Sequence, residues 1–201
     1  MKITNEHLVT DQWEIDKWDQ YFVEENKKLD TKIYSSVLEE RLRTNKIIKS
    51  FRIKKTVEPV WPVFIQQLVQ DLNPSIKLFE IKTAGYYRSQ NNIVFKVLEY
   101  KIHESFCIQW FANKQRINRN ILVSHNSKST KITYVDITKG PTSVQGYFER
   151  RIKNVYVKRQ RSAFKVQKLK LKIALGLIPD RKISWVQLKI DKILKRSADK
   201  Y

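Results

Sequence analysis

Residues 91–111 read NNIVFKVLEYKIHESFCIQWF. The stretch is dense in β-branched and aromatic side chains and lacks proline and glycine, the composition of a pleated, half-buried surface. It predicts two strand segments, 91–104 and 105–111. A third, SIKLFEIK over 75–82, precedes them, and TAGYYRSQNN between reads as a hairpin loop. Downstream, NILVS (120–124) and KITYVDI (131–137) read as a second hairpin around HNSKST, with Ile132 and Tyr134 on one face. The middle of the chain is therefore expected to be β-rich and antiparallel.

On both sides of this body the apolar period turns helical. In residues 11–28, Trp18, Tyr21, Phe22 and Glu25 follow i, i+3, i+4, i+7, and Asp11 with Glu14 forms a candidate capping box. Ile33, Tyr34, Val37, Leu38 and Leu42 form a second stripe, predicting a helix over 31–49 capped by Asp30 or Thr31 and supported by Glu39/Arg43. WPVFIQQLVQDLNP predicts a short buried helix with Pro62 in its first turn, Phe64, Leu68 and Leu72 on one face, and Pro74 beyond its end. After a break at TKGPTS (138–143), Val144, Phe148, Ile152 and Val155 predict a helix to about residue 159. SWVQLKIDKILKRS predicts a last helix capped by Ser184.

Between those two lies a comb, KVQKLKLKIALGLIP (165–179). As a strand it sets Leu169, Leu171 and Ile173 against Lys168, Lys170 and Lys172. As a helix it groups Val166, Leu169, Ile173 and Leu177, with Lys165, Lys168 and Lys172 elsewhere. Gly176 followed by Pro179 favours the helix. In either form one face is apolar and another is a row of ammonium groups. The chain thus reads as α+β: a helical, near-neutral segment (1–58), a body with two hairpins (59–137), and a basic, mostly helical extension (138–201).

Charge is distributed as unevenly as structure. The whole chain carries +20, but residues 1–50 net −1 and residues 151–201 net +13. A composition of 41% apolar residues with 11% aromatics argues against disorder at this charge. A segment so cationic repels itself unless a polyanion neutralises it, which makes nucleic acid the first expected partner and an anionic membrane surface the second. The candidate phosphate contacts are Arg150, Arg151, Lys153, Lys158, Arg159, Arg161, Lys165, Lys168, Lys170, Lys172, Arg181 and Lys182. Tyr147, Phe148, Tyr156 and Phe164 are interleaved with them, and at helical spacing Phe148, Ile152 and Val155 read as core before stacking platform. Lys114, Arg116 and Arg119 form a second basic patch, placed in a loop between β segments. Tyr86, Tyr87 and Arg88 sit at an expected hairpin tip, exposed to a groove or folded against the sheet.

The chemistry of known catalytic motifs is sparse. Cys107 is the lone cysteine, so no intrachain disulfide is possible, and its alternation within SFCIQWF suits a small core residue. His7, His103 and His125 lack ligand spacing. Glu80-Ile81-Lys82 and Glu99-Tyr100-Lys101 are E-x-K tripeptides of the kind a Mg²⁺-dependent nuclease places on a strand, with Asp71 the preceding acid. Such tripeptides are common in a lysine-rich chain, and ordinary surface residues are the stronger reading. No phosphate-cradling glycine loop occurs, and the whole chain has only four glycines. No catalytic residue, metal or cofactor is expected. The longest uncharged run, 59–70, falls short of the roughly 18 residues a membrane span needs, and the acids of the first thirty residues argue against a secretory signal or transit peptide.

In size, basicity, glycine poverty and a cationic extension on a globular body, the chain resembles organelle-encoded ribosomal proteins. Its abundance of Lys, Ile, Asn, Tyr and Phe fits an A/T-rich genome. The resemblance implies rRNA contact through residues 146–182, contact with neighbouring ribosomal proteins through residues 1–50, a mitochondrial location (cytoplasmic as the alternative), and no catalysis. The competing readings are a nucleic-acid-processing Mg²⁺ enzyme of a mobile element and a soluble subunit docked on an anionic membrane assembly.

Overall fold

The computed structural model describes residues 7–31, 33, 36, 37, 40, 43–112, 114–140 and 147–198, with backbone alone at 147–157, 159 and 196–198. The architecture is α+β, with helices at both ends of a central antiparallel sheet. The elements are α1 (Gln12–Asp30), β1 (Thr44–Ile53), α2 (Val57–Gln70), β2 (Tyr86–Arg88), β3 (Val94–Lys101), β4 (Ser105–Ala112), β5 (Gln115–Asn126), β6 (Ser129–Lys139), α3 (Tyr147–Ala174) and α4 (Asp180–Ala198). The six strands lie in the order β1-β6-β5-β4-β3-β2.

Strand alternation separates two faces. One face carries Phe51, Ile53, Tyr87, Phe95, Val97, Phe106, Ile108, Ile121, Ile132 and Tyr134, all buried beneath α2 and α3. From α2 come Trp61, Phe64, Ile65 and Leu68, and from α3 Phe164 and Leu171. The opposite face receives α1. Phe22 inserts among Tyr86, Val94 and Phe111, with ring centroids 5.4 Å from Tyr86 and 5.1 Å from Phe111. Tyr86 and Tyr87, adjacent in sequence, thus anchor the two faces. Their expected hairpin tip is instead β2, with residues 7–9 bridged beside it at the sheet edge.

Local departures from the sequence reading have tertiary causes. Residues 44–49 were expected to end a helix but form β1, paired in register with β6 from Thr44↔Lys139 to Ile53↔Thr130. The alternation that puts Ile47, Phe51 and Ile53 inside prevails over the shorter helical stripe. Of that stripe, Tyr34, Leu38, Leu42 and Glu39 lie outside the described residues, and Thr31 is the C-cap of α1. SIKLFEIK is not a strand. A single 3₁₀ turn, Leu78–Glu80, occupies it, held by Gln66, whose amide donates to Ile76 O at 3.0 Å and accepts from Leu78 N at 2.8 Å. Pro62 falls inside α2 and not in its first turn, because the helix begins at Val57. Ser184 is likewise internal to α4, which begins at Asp180. Asp11 caps α1 by accepting from Trp13 N at 2.9 Å, but Glu14 does not complete a capping box; it turns to Arg88 and Trp18. Residues 141–146, which include most of TKGPTS and Val144, lie outside the described residues.

Candidate nucleic-acid interface

The comb is helical as far as Ala174 and there forms the C-terminal part of α3. Its apolar side chains divide between two partners. Phe164 and Leu171 enter the main core, while Val166, Leu169 and Ile173 pack against Val186 and Ile190 of α4. The helix is gripped on two sides, and the spacing selects which residues fill the strip between them. Lys158, Arg161, Lys165, Lys168 and Lys172 follow i, i+3, i+7, i+10, i+14, so they form one row. Lys158, Arg161 and Lys165 are exposed, and Lys168 and Lys172 are half-buried at its end. The Lys168 ammonium lies 5.7 Å from the Phe51 ring centroid, its stem covering the core while its charge stays at the rim.

Gly176 ends α3. Its φ of +64° is a left-handed conformation that glycine adopts without strain. Its N–H donates to Ile173 O and the Leu177 N–H donates to Lys172 O, both at 2.9 Å, the paired bonds of a Schellman stop. The chain then turns into α4, whose exposed Arg181, Lys182, Lys189, Lys192 and Lys195 add to the same cationic hairpin. Over residues 151–201 only Asp180, Asp191 and Asp199 oppose these cations.

Lys170 leaves the row. It points the other way and pairs with Asp71 at 2.8 Å, beside an open cleft of about 570 Å³ between α2, α3 and α4 that Gln67, Gln70 and Gln187 also line. The side chains of Arg150, Arg151, Lys153 and Arg159 lie outside the described residues, as do those of Tyr147, Phe148, Ile152, Val155 and Tyr156. Phe164 is core.

The second basic patch is not a loop. Arg116 and Arg119 belong to β5, and Lys114 sits at the β4–β5 turn with φ +60°. Arg116 is committed to Asp30 of α1 through two bonds of 2.9 Å and to Asn26 at 2.8 Å. Arg119 lies inside, with its side chain 12% exposed, between the Trp110 and Tyr134 rings at 5.1 Å from each. It pairs with the buried Asp136 at 3.5 Å and reaches Gln160 of α3 at 3.3 Å. Of this patch only Lys114 is exposed. A sequence signal for the internal pair existed: alternation in KITYVDI puts Asp136 on the face of Ile132 and Tyr134, and a core carboxylate demands a cation.

The acids of the candidate metal tripeptides are engaged elsewhere. Glu80 accepts from Lys77 N at 2.8 Å and meets His7 at 2.9 Å, and these partners, the backbone bond foremost, hold its carboxyl below the usual range. Glu99 accepts from Ser105, which does the same to its carboxyl, and lies 3.6 Å from Lys101. Among the described residues no three His, Cys, Asp or Glu side chains converge as a metal site would require. Burial pushes the Cys107 thiol up, away from the reactive thiolate. Among the described residues no helix is long and apolar enough to cross a membrane.

No family model matches the chain, and no curated protein matches it. Solved structures of similar outline include CalU16 from Micromonospora echinospora, at 10% identity, covering 77% of this chain and 88% of that one with a TM-score of 0.48. Ara h 8.0201 is 9% identical, over 66% of this chain and 99% of its own, with a TM-score of 0.48. Norcoclaurine synthase from Thalictrum flavum, solved with dopamine and hydroxybenzaldehyde, is 12% identical over 74% of this chain and 98% of its own, with a TM-score of 0.45. Likeness at this level carries no inference about what this chain does.

Sequence reading alone missed the outer face of α4. Arg181, Trp185, Leu188, Lys192 and Lys195 follow i, i+4, i+7, i+11, i+14 and share one side, opposite to Val186 and Ile190. The pattern is visible in DRKISWVQLKIDKILK once residues 180–198 are read as a single helix.

Proposed function

We propose that the protein is a structural RNA-binding component of a ribonucleoprotein, of the mitochondrial ribosomal kind, whose α3–α4 hairpin neutralises rRNA phosphates. The observation that carries this reading is the row Lys158, Arg161, Lys165, Lys168 and Lys172 on the open strip of α3, continued by Arg181 and Lys182 on α4. Lysine and arginine contacts to phosphate supply most nucleic-acid affinity without sequence information. Packing of α3 on the sheet core and on α4 gives the row a rigid base, so little ordering remains to be lost on binding. The near-neutral N-terminal portion, with Trp13 exposed on the outer side of α1, is the surface proposed for neighbouring proteins. The role requires binding and no catalysis.

Sedimentation of a native lysate through sucrose, with and without RNase, tests the reading. The chain is expected to travel with a ribosomal particle and to move to the top of the gradient after RNase. Slow sedimentation that RNase leaves unchanged would overturn it.

A further inference from the structure

We infer that the outer face of α4 is a stacking platform for an unpaired RNA base, with Trp185 as the platform and Arg181, Lys189 and Lys192 as its phosphate contacts; this rests on the RNA-binding reading above. Trp185 is 62% exposed and Leu188 60% exposed, although the helix has already buried Val186 and Ile190 against α3. The indole is therefore outside the packed seam of the hairpin. The Lys189 ammonium lies 5.2 Å from its ring centroid.

Trp13 supplies an internal comparison. It is also exposed, at 71%, and also carries a lysine over its ring, with Lys17 at 5.3 Å. Yet its helix turn holds Asp11, Glu14 and Asp16, which repel phosphate. Trp185 is bracketed by Arg181, Lys182, Lys189 and Lys192. The same indole thus stands in opposite fields, and only the one on α4 suits a polyanion with flat faces.

A lipid surface fits less well. An interfacial helix lays a broad apolar face into the membrane with its cations on the opposite side. Here the broad apolar face is spent inside the fold, and the exposed stripe is two apolar residues in line with cations. An aromatic face among cations along a groove is the arrangement that binds single strands, through stacking that every base can supply. From Arg181 to Lys195 the stripe runs about 21 Å along the helix, enough for a few nucleotides.

The test measures binding of the full chain to a labelled unstructured oligouridylate and to a blunt RNA duplex of equal length, by fluorescence anisotropy at one salt concentration. Trp185→Ala is expected to weaken single-strand binding at least about fivefold and to leave duplex binding unchanged, while Trp185→Phe retains most of the affinity. Equal loss on both RNAs, or no loss on either, with wild type still binding, would overturn the platform and leave the RNA-binding reading standing. Wild type binding neither RNA would overturn both. Binding to phosphatidylglycerol vesicles that Trp185→Ala abolishes, with single-strand affinity unmoved, would overturn the inference in favour of a lipid surface. An unchanged thermal midpoint confirms that the variants are folded.

Discussion

The Arg116 guanidinium holds the Asp30 carboxylate in a two-bond fork, each bond 2.9 Å, and so pins the last turn of α1 to β5. The same helix is pinned at its start by Glu14 to Arg88 and in its middle by Asp19 to Lys96 and to the Tyr86 hydroxyl. Partners from the sheet hold all three carboxyls below their usual range, Arg88 for Glu14, Lys96 for Asp19 and Arg116 for Asp30.

Acid should therefore loosen α1 before the rest. A carboxyl whose folded pKa is depressed stabilises the fold above its unfolded value, and that stabilisation is lost as pH falls through the folded value. Hydrogen exchange followed from pH 7 to pH 3 is expected to show α1 amides losing protection below about pH 4, while the amides of β5 and β6 keep theirs. Uniform loss across the protein would contradict this order.

Phe22 is the apolar counterpart of those ion pairs. It is 3% exposed and touches Tyr86 and Phe111 edge-on. Phe22→Ala is expected to cost about 3–5 kcal/mol, read from the urea midpoint. A cost under about 1 kcal/mol would mean that α1 is held by its charges alone.

Gly176→Ala tests the turn between α3 and α4. No atom lies within 4 Å of the added methyl, so crowding is absent and the +64° φ is the whole penalty. A loss of about 1 kcal/mol is expected in thermal or chemical unfolding. A neutral substitution would show that the turn relaxes to another conformation.

Replacing Lys158, Arg161 and Lys165 together with alanine should flatten the dependence of RNA affinity on salt. Three fewer phosphate contacts on a single strand lower the slope of log K against log salt by about 2. Lys28→Ala, on the exposed side of α1, should leave the slope unchanged. Equal slopes for the triple variant and wild type would place the RNA elsewhere on the protein.

The sequence disclosed elements whose cues are local. Asp11 before α1, Gly176 after α3, and the alternation of β3, β4, β6 and the second half of β5 could all be read residue by residue. The cationic row could be read too, because Lys165, Lys168 and Lys172 obey the same period in any helix. What escaped depends on partners distant in the chain. Ile47, Phe51 and Ile53 carry a strand alternation that only β6 makes decisive. Arg116 and Arg119 look like loop cations until Asp30 and Asp136 are known to face them. Phe79, 82% exposed, made SIKLFEIK resemble a strand, whereas the bonds of Gln66 fold it into a turn.

The place of β1 beside β6 also dictates an order of events. Among the described residues Thr44–Ile53 has no strand partner until Ser129–Lys139 has been made, because its neighbour in the sheet is β6. During synthesis the hairpins β3–β4 and β5–β6 can close as they emerge, each needing a short loop. β1, already made, must wait with Ile47, Phe51 and Ile53 uncovered, a window in which a nascent chain is open to mispairing or to a chaperone. Slow closure of that outermost pairing is the step expected to set the pace of maturation.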